Sequence, residues 1–302
     1  MLRSYRFLSS VLFTCSLTGF ALVALFLPAF AAEELPQPFE DPSRLVSIGG
    51  SLTEIVYALG HEGQLVGRDS TSVYPLEVGE IPDVGYSRQL APEGVLSVAP
   101  TAILLLEGGG PPEAIEVLEK ASVPLLVIPE TYDQDGILRK IRFTGAALGE
   151  TEKAEELALA VERDLASAQE LIAEGSARKR VLFILSIQGG RILASGRGTA
   201  ADGIIAMAGA DNVFQDYDGY KQVSDEAVME AAPDVILMMS RGEDLDVANT
   251  ELLANAALAA TPAAQNGAIV RMDGAYLLGF GPRTGQAVRD LAAELYGKEV
   301  GR

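Results

Sequence analysis

The sequence predicts an α/β protein built from two similar lobes that are joined by one long helix. Short apolar runs alternate with helical patterns along most of the chain, which is typical of parallel sheets covered by helices. One stretch with helical spacing contains neither glycine nor proline from Glu150 through Glu174. A segment of the first half also recurs in the second half, which indicates two related units.

The first lobe is predicted to span residues 44–148. Four apolar runs of strand length predict its sheet: 44–49, 64–69, 102–107 and 124–130. Helices are predicted at 51–60 and near 111–121. Ser51 and Glu54 have the spacing of a capping box, which predicts that their side chains close the start of the first helix.

The second lobe is predicted to span residues 179–298. Its apolar runs lie at 180–186, 234–240 and 268–273, with a helix near 200–208. Between the lobes, apolar residues recur at helical spacing from Leu157 to Leu171. Residues 149–175 are therefore predicted to hold the connecting helix, of about 24 residues and about 36 Å at 1.5 Å per residue. A long helix packed on one domain alone is the alternative.

The internal repeat has an offset of 133 residues. It pairs Gln89 with Gln222, and Glu93 with Glu226. It also pairs the Ala-Pro steps at 99–100 and 232–233, and each step is followed by an apolar strand. Because these residues all match at a single offset, they favour two similar half-molecules.

The first 31 residues have the pattern of an export signal. Arg3 and Arg6 precede an apolar run, and Ala29 and Ala31 frame a small-residue cleavage site. An uncleaved membrane anchor is the alternative, since the run is about long enough to span a bilayer. Cys15, the only cysteine, lies inside the run without small residues before it. We therefore expect that Cys15 is not lipidated and that the mature protein lies in the periplasm.

The chain is strongly acidic, with a net charge of −19. Removal of residues 1–31 leaves 21 basic and 42 acidic residues, a net charge of −21, which argues against binding to nucleic acid. The single histidine, His61, excludes histidine-rich metal sites and histidine-based triads, and an ordinary surface histidine is expected. No phosphate-binding loop or G-x-S-x-G motif is present. These features favour a binding protein over an enzyme.

Tyr86 and Arg88 lie two residues apart in a glycine-containing loop. A phenolate oxygen suits ferric iron, and tyrosine is one of the axial ligands found for haem. A nearby guanidinium favours the phenolate, or clamps a carboxylate through paired hydrogen bonds. On these two residues alone, a structural loop tyrosine remains the alternative.

Four segments extend this interpretation: "RLVSIGGSLTEIVYALG", "DVGYSRQLAPEGVLSVAPT", "TAADGIIAMAGADNVF" and "YLLGFGPRT". Together they resemble the periplasmic haem-binding proteins of bacterial haem-uptake ABC transporters, over about residues 44–295. The resemblance implies two Rossmann-like lobes joined by a single long helix, the class III periplasmic binding protein fold. It also implies a monomer that carries ferric haem (ferric protoporphyrin IX) between the lobes for iron acquisition.

The resemblance assigns roles to individual residues. It makes Tyr86 the ligand of the haem iron and places Arg88 near the haem propionates. It makes Glu93 and Glu226 the acids, one per lobe, that dock on the transporter's permease. Favourable placement of an acid at a helix start is the competing explanation for both glutamates.

One departure from the family concerns "LSIQGG". Gln188 stands where some members carry a histidine that binds a second haem or reaches from the opposite lobe. A glutamine amide is a poor iron ligand, so one protein ligand and one haem are expected. Arg191, Arg241 and Arg283 are further candidates for the cleft. The alternatives are a corrinoid or ferric-siderophore carrier of the same fold and, from another class, a haem-processing enzyme.

Overall fold

The computed structural model of the chain describes residues 34–171, 177–240 and 252–297. Within them the chain forms two sheets covered by helices, and the predicted α/β class with two lobes and one long connecting helix is confirmed. The predicted signal peptide and Arg241 lie outside the described residues. The boundaries given above for the lobes remain predictions.

The first lobe contains a parallel sheet in the order β2-β1-β3-β4. Its strands are β1 (Leu45–Ile48), β2 (Leu65–Arg68), β3 (Ala102–Leu106) and β4 (Leu125–Ile128). Its helices are α1 (Gly50–Ala58), α2 (Pro92–Ser97), α3 (Pro112–Lys120) and α4 (Gln134–Leu148), with 3₁₀ turns at Glu62–Gln64 and Leu76–Glu80. Because all four strands are parallel, the loops that follow them meet at one edge of the sheet, where such folds bind ligands.

The second lobe contains a mixed sheet in the order β10-β9-β5-β6-β8, with β7 beside β5. Its strands are β5 (Arg180–Gln188), β6 (Arg191–Ser195), β7 (Asp211–Asn212), β8 (Tyr220–Val223), β9 (Val235–Ser240) and β10 (Ile269–Asp273). Its helices are α6 (Ala200–Met207), α7 (Asp225–Ala231), α8 (Ala256–Ala259), α9 (Pro262–Gln265), α10 (Gly274–Leu278) and α11 (Thr284–Tyr296). The antiparallel strands β6 and β8 were not predicted, because their short runs carry no strong apolar pattern.

The connecting helix is α5 (Thr151–Leu171). It packs against α4 of the first lobe and α11 of the second, and its buried residues follow helical spacing: Ala154, Ala158, Val161, Leu165 and Ala168. One cluster of buried apolar side chains therefore continues from Leu45 of the first sheet across α5 to Phe183 of the second. Of the described helices, none is both long enough and apolar enough to cross a membrane.

The capping box predicted for α1 is wrong. The helix begins at Gly50, one residue earlier than predicted, and its N-cap Gly49 supplies no side chain. Ser51 and Glu54 instead make contacts with distant parts of the chain, which leaves neither side chain to close the helix.

The internal repeat is visible in the backbone. The repeated acids lie in the first turns of α2 and α7. Ala99 and Ala232, each before a proline, both adopt left-handed φ values, +47° and +39°, and each is followed by a buried strand. A left-handed alanine is uncommon, so its recurrence at the same offset supports the relation between the halves.

Candidate functional site

The loop that carries Tyr86 is fixed on both sides. The Ser70 amide donates a hydrogen bond to the Gly85 carbonyl (2.9 Å), and the Gly110 amide donates one to the Ser87 carbonyl (2.9 Å). These bonds tie the loop to those that follow β2 and β3. Gly85 has a φ of +112°, a conformation that glycine adopts without strain. The backbone around Tyr86 is thus held at the ligand-binding edge of the first sheet.

The Tyr86 side chain is available to a ligand. It is 44% exposed, and its hydroxyl makes no hydrogen bond with any residue that the structure describes. The neighbouring loop, tied to Gly85 through Ser70, also exposes large apolar side chains, namely Val73, Tyr74 and Leu76. Exposed apolar side chains grouped in this way commonly mark a binding surface.

Arg88 lies close to two tyrosines at the junction of the lobes. Burial raises the pKa of Tyr132, which follows β4, and of Tyr220, which begins β8; the positive charge of Arg88 acts in the opposite direction on both. No carboxylate of the described residues lies within salt-bridge distance of Arg88.

A buried lysine of the first lobe forms an ion pair within that lobe and a hydrogen bond to the second lobe. The Lys140 ammonium, fully buried in α4, donates to the Glu130 carboxylate (2.7 Å), to Ser51 Oγ (3.2 Å) and to the Phe280 carbonyl of the second lobe (3.0 Å). Burial lowers the pKa of Lys140 and raises that of Glu130, and the attraction between the two charges opposes both shifts. The carbonyl bond links the first lobe to the α10–α11 loop.

Arg283 makes a second link between the lobes. Its guanidinium donates two hydrogen bonds to the buried carboxylate of Glu54 (2.9 and 2.6 Å) and lies 3.7 Å from the centre of the Tyr74 ring. These contacts occupy the guanidinium that the sequence suggested for the cleft. A direct role of Arg283 towards ligand remains a prediction, and its observed role is to fasten α11 to α1.

Gln188 and Arg191 face each other in a hairpin at the end of β5. Gly189 and Gly190 form the turn, with φ values of +56° and +78°, and both flanking side chains are exposed. The structure thus brings these two predicted residues together. No described contact links them to Tyr86 or Arg88, so their roles towards ligand remain predictions.

Glu93 and Glu226 occupy equivalent, exposed positions in the first turns of α2 and α7. The backbone amide of Glu226 and the Ser224 hydroxyl lower the pKa of the Glu226 carboxyl. Ser224 itself caps α7 by accepting a hydrogen bond from the Ala227 amide (3.2 Å). The glutamate side chains are thus left facing solvent.

The sequence predicts an ordinary surface histidine at position 61, and this prediction is wrong. Its ring contacts Gln64 (2.9 Å) and Glu150 (3.0 Å), and only 12% of its side chain is exposed. It links the end of α1 to the residue before α5. The described residues contain no cluster of three His, Cys, Asp or Glu side chains that could hold a metal ion.

Sequence reasoning missed the residues at the junction of the lobes: Glu54, Glu130, Tyr132, Lys140 and Tyr220. Their partners lie far away in the chain, so no local pattern signals them. Of the five, the sequence patterns singled out Glu54 alone, for a helix-capping role that the structure does not show.

Comparison with known proteins places this geometry in a family. The sequence profile of the periplasmic binding proteins matches residues 45–276. The periplasmic haem-binding protein RhuT from Roseiflexus sp. RS-1 is 38% identical, with a TM-score of 0.80, and the match covers 84% of this chain and 98% of that one. A periplasmic haem-binding protein from Pseudomonas aeruginosa is 35% identical, with a TM-score of 0.78, over 85% of this chain and 93% of that one.

More distant relatives are also substrate-binding proteins. The ABC transporter substrate-binding lipoprotein YvrC of Bacillus subtilis is 29% identical over 201 residues, which are 66% of this chain and 64% of that protein, slightly less than two thirds of its length. The vitamin B12-binding protein of Pectobacterium atrosepticum is 27% identical over 242 residues, 79% of this chain and 81% of that protein. On the profile match and the fold together, the chain belongs to the periplasmic binding protein family.

Proposed function

We propose that the protein is an exported carrier that captures ferric haem between its lobes and delivers it to the permease of an ABC importer. The observation that carries the proposal is Tyr86, an exposed phenol on a fixed loop in a chain that is 38% identical to a haem-binding protein. It acts without catalysis and in the periplasm, after removal of residues 1–31. Haem is its cargo.

Tyr86 supplies the iron ligand in this proposal. A free phenol has a pKa of about 10, and a bound ferric ion supplies the positive charge that stabilises the phenolate at neutral pH. The apolar side chains of Val73, Tyr74 and Leu76 offer the porphyrin a surface beside that ligand. A fixed loop suits this role, because a preorganised ligand loses little entropy on binding.

Delivery uses the two repeated glutamates. Glu93 and Glu226 project from equivalent helix starts, one on each lobe. Carboxylates paired with basic pockets on a permease would set the register of docking, since charged pairs contribute more to orientation than to affinity. The carrier then needs no large change of shape to present haem, and a monomer is sufficient.

The test is absorption spectroscopy of the protein mixed with haemin. We expect the wild type to give a high-spin ferric spectrum with a phenolate charge-transfer band. Tyr86→Phe, which keeps the ring but removes the oxygen, should lose that band and bind haemin more than about 100-fold more weakly, since losing an outer-shell partner of a metal ligand alone costs about 10–100-fold.

Tyr57→Phe is the matched control, because Tyr57 is a partly exposed tyrosine of α1 in the same lobe and has no role in the proposed site. It should keep both the band and the affinity. An unchanged spectrum in Tyr86→Phe would show that another group binds the iron. Repeated conversion of haem to a product, rather than retention of one haem per protein, would instead favour an enzyme.

A corrinoid carrier is the second candidate, favoured by the relatives that bind vitamin B12. In that case cobalamin should bind more tightly than haemin, and Tyr86→Phe should leave its binding unchanged. Competition between cobalamin and haemin on the wild-type protein distinguishes the two ligands directly.

A further inference from the structure

The segment just before Tyr86 is attached to the end of strand β2. The Arg68 amide donates a hydrogen bond to the Pro82 carbonyl (2.9 Å), and the Val84 amide donates one to the Arg68 carbonyl (2.9 Å). These two bonds pair Arg68 with Asp83 in a parallel bridge. The chain therefore starts towards Tyr86 from a point that is fixed on the sheet only three residues earlier.

The Asp83 side chain joins both ends of this segment. Its Oδ1 atom accepts hydrogen bonds from the Gly85 amide (2.8 Å) and from the Ser70 hydroxyl (3.0 Å). Its Oδ2 atom accepts one from the Arg68 guanidinium (2.7 Å). An aspartate that bonds to the amide two residues further on fixes the local turn. We call this carboxylate and its three donors the Asp83 bracket.

Gly85 shows why the bracket matters. Its φ of +112° lies in a region that glycine enters readily and other residues rarely do. A Cβ atom at this position would meet no heavy atom within 4 Å apart from its neighbours in the chain, so the backbone conformation and not crowding requires glycine. Because Gly85 directly precedes Tyr86, its torsions set the direction in which the tyrosine leaves the loop. The hydrogen bond from its amide to Asp83 limits those torsions.

The charges of the bracket offset each other. The Arg68 and Asp83 side chains form an ion pair at 2.7 Å, and the guanidinium is the more deeply buried partner, with 14% of its side chain exposed against 41% for the aspartate. An unpaired carboxylate would disfavour a second anion close by. Because of the pairing, the bracket holds the loop while it places little net negative charge beside the phenolate proposed for Tyr86.

We propose that Asp83 is a positioning residue for Tyr86, and that the Asp83 bracket preorganises the phenol to meet the haem iron. The proposal rests on the proposed function, in which Tyr86 is the iron ligand. Asp83 acts through Gly85 and needs no contact with the porphyrin. Preorganisation lowers the cost of ordering a group on binding. The bracket should therefore raise affinity only for a ligand that forms the bond between iron and phenolate.

The test compares haemin with iron-free protoporphyrin IX, which has the same ring and side chains but no metal. Affinity is measured by absorbance for haemin and by fluorescence for the iron-free ring. The proteins are the wild type, Asp83→Ala, Asp83→Asn and Gly85→Ala. The last variant disturbs the same backbone without removing the carboxylate, since a methyl group has room there but the φ value does not suit alanine.

Asp41→Ala is the matched control. Asp41 also accepts a hydrogen bond from the amide two residues further on, that of Ser43 (3.0 Å). It precedes β1, so it lies at the edge of the sheet opposite to the loop of Tyr86. Circular dichroism and urea unfolding establish that each variant is folded, and Asp83→Asn takes the place of Asp83→Ala if the latter is not.

We expect Asp83→Ala to bind haemin about 10–100-fold more weakly, the loss typical of removing an outer-shell partner of a metal ligand. The phenolate charge-transfer band should shift and broaden, because the phenol then meets the iron in more than one geometry. Binding of iron-free protoporphyrin should not change. Asp83→Asn should restore part of the affinity, since its amide oxygen can still accept from Gly85. Gly85→Ala should resemble Asp83→Ala, and Asp41→Ala should resemble the wild type.

Unchanged haemin affinity and an unshifted band in folded Asp83→Ala would overturn the positioning role. Equal losses for haemin and the iron-free ring would also overturn it, because they indicate a general structural role. If the iron-free ring binds too weakly to measure, the band alone decides. In each case a charge-transfer band in the wild type would still support haem capture through Tyr86. Absence of that band from the wild type is a different result, because it would overturn the proposed function itself.

Discussion

The two copies of the internal repeat differ at one end and agree at the other. Residues 91–104 and 224–237 both run from an exposed acid through a left-handed alanine to a buried strand. The five residues before them do not agree. In the first copy they belong to the loop of Tyr86 and pair with no strand that the structure describes, whereas in the second the last four form strand β8, paired with β6.

The comparison shows how a duplicated backbone can differ locally between its two copies. The backbone of β8 is committed to its sheet, since Tyr220 lies opposite Ser195 and Lys221 opposite Ala194. The loop of Tyr86 is held by neighbouring loops and by the end of β2. The agreeing end suits a two-point contact with a partner, and the differing end suits a single metal ligand.

The largest expected effect is a difference in stability between variants of Tyr220 and of Tyr86. Tyr220→Ala removes a mostly buried ring that packs on Phe183, and we expect a loss of about 2–3 kcal/mol in the free energy of unfolding, below the full 3–5 kcal/mol for a fully buried aromatic residue. Tyr86→Ala should change it by about 0.5 kcal/mol or less, as for an exposed residue. Urea unfolding measures both, and similar losses would contradict the contrast between a tyrosine packed in a strand and one exposed on a loop.

Glu93 and Glu226, which are proposed to dock on the permease, should behave alike because they occupy equivalent positions. Charge reversal, Glu93→Arg or Glu226→Arg, should each reduce haem uptake through the cognate importer by about tenfold or more, since one misplaced charge at an interface costs several kcal/mol. Haemin binding by the purified protein should not change.

Glu230→Arg provides the control for this pair, because Glu230 is an exposed acid of the same helix, α7. It should leave uptake close to the wild-type level. If Glu93→Arg and Glu226→Arg lower stability while transport per folded molecule is normal, helix-end electrostatics explain the acids and docking does not.

The smallest expected effect concerns the repeated alanines. A left-handed φ costs an L-residue about 1–2 kcal/mol, and glycine removes that cost but loses about 0.5–1 kcal/mol through its greater freedom in the unfolded chain. Ala99→Gly and Ala232→Gly should therefore each stabilise the fold by about 0.5 kcal/mol.

Ala206→Gly is the matched comparison, an exposed alanine within the right-handed helix α6, and it should destabilise by about 1 kcal/mol. Midpoints of urea unfolding report all three substitutions. Opposite signs at positions 99 and 232 would show that the two halves are not constrained alike.

Local patterns predicted most of the fold, because apolar runs and helical spacing report directly on buried strands and helix faces. The internal repeat predicted from the sequence also recurs in the backbone, where Ala99 and Ala232 both adopt left-handed φ values. The second sheet was predicted only in part, since the short strands β6 and β8 depend on pairing with each other and with β5 rather than on their own composition.

The junction between the lobes could not be predicted, and the reason is distance along the chain. Ser51 and Glu54 match a local capping motif, yet their partners are Lys140 and Arg283, 89 and 229 residues away. Arg283 was assigned to the cleft from its motif alone. Its observed pairing with Glu54 depends on a buried acid that α1 turns towards the other lobe.

The buried cluster that crosses α5 has a consequence for how the molecule unfolds. Because α4 and α11 both bury apolar residues against that helix, neither lobe can lose its packing without exposing part of the other's core to water. Heat or denaturant should therefore melt both lobes in a single cooperative transition. A protein of this kind is folded throughout or unfolded throughout, so a protease meets no half-open form with a loosened lobe.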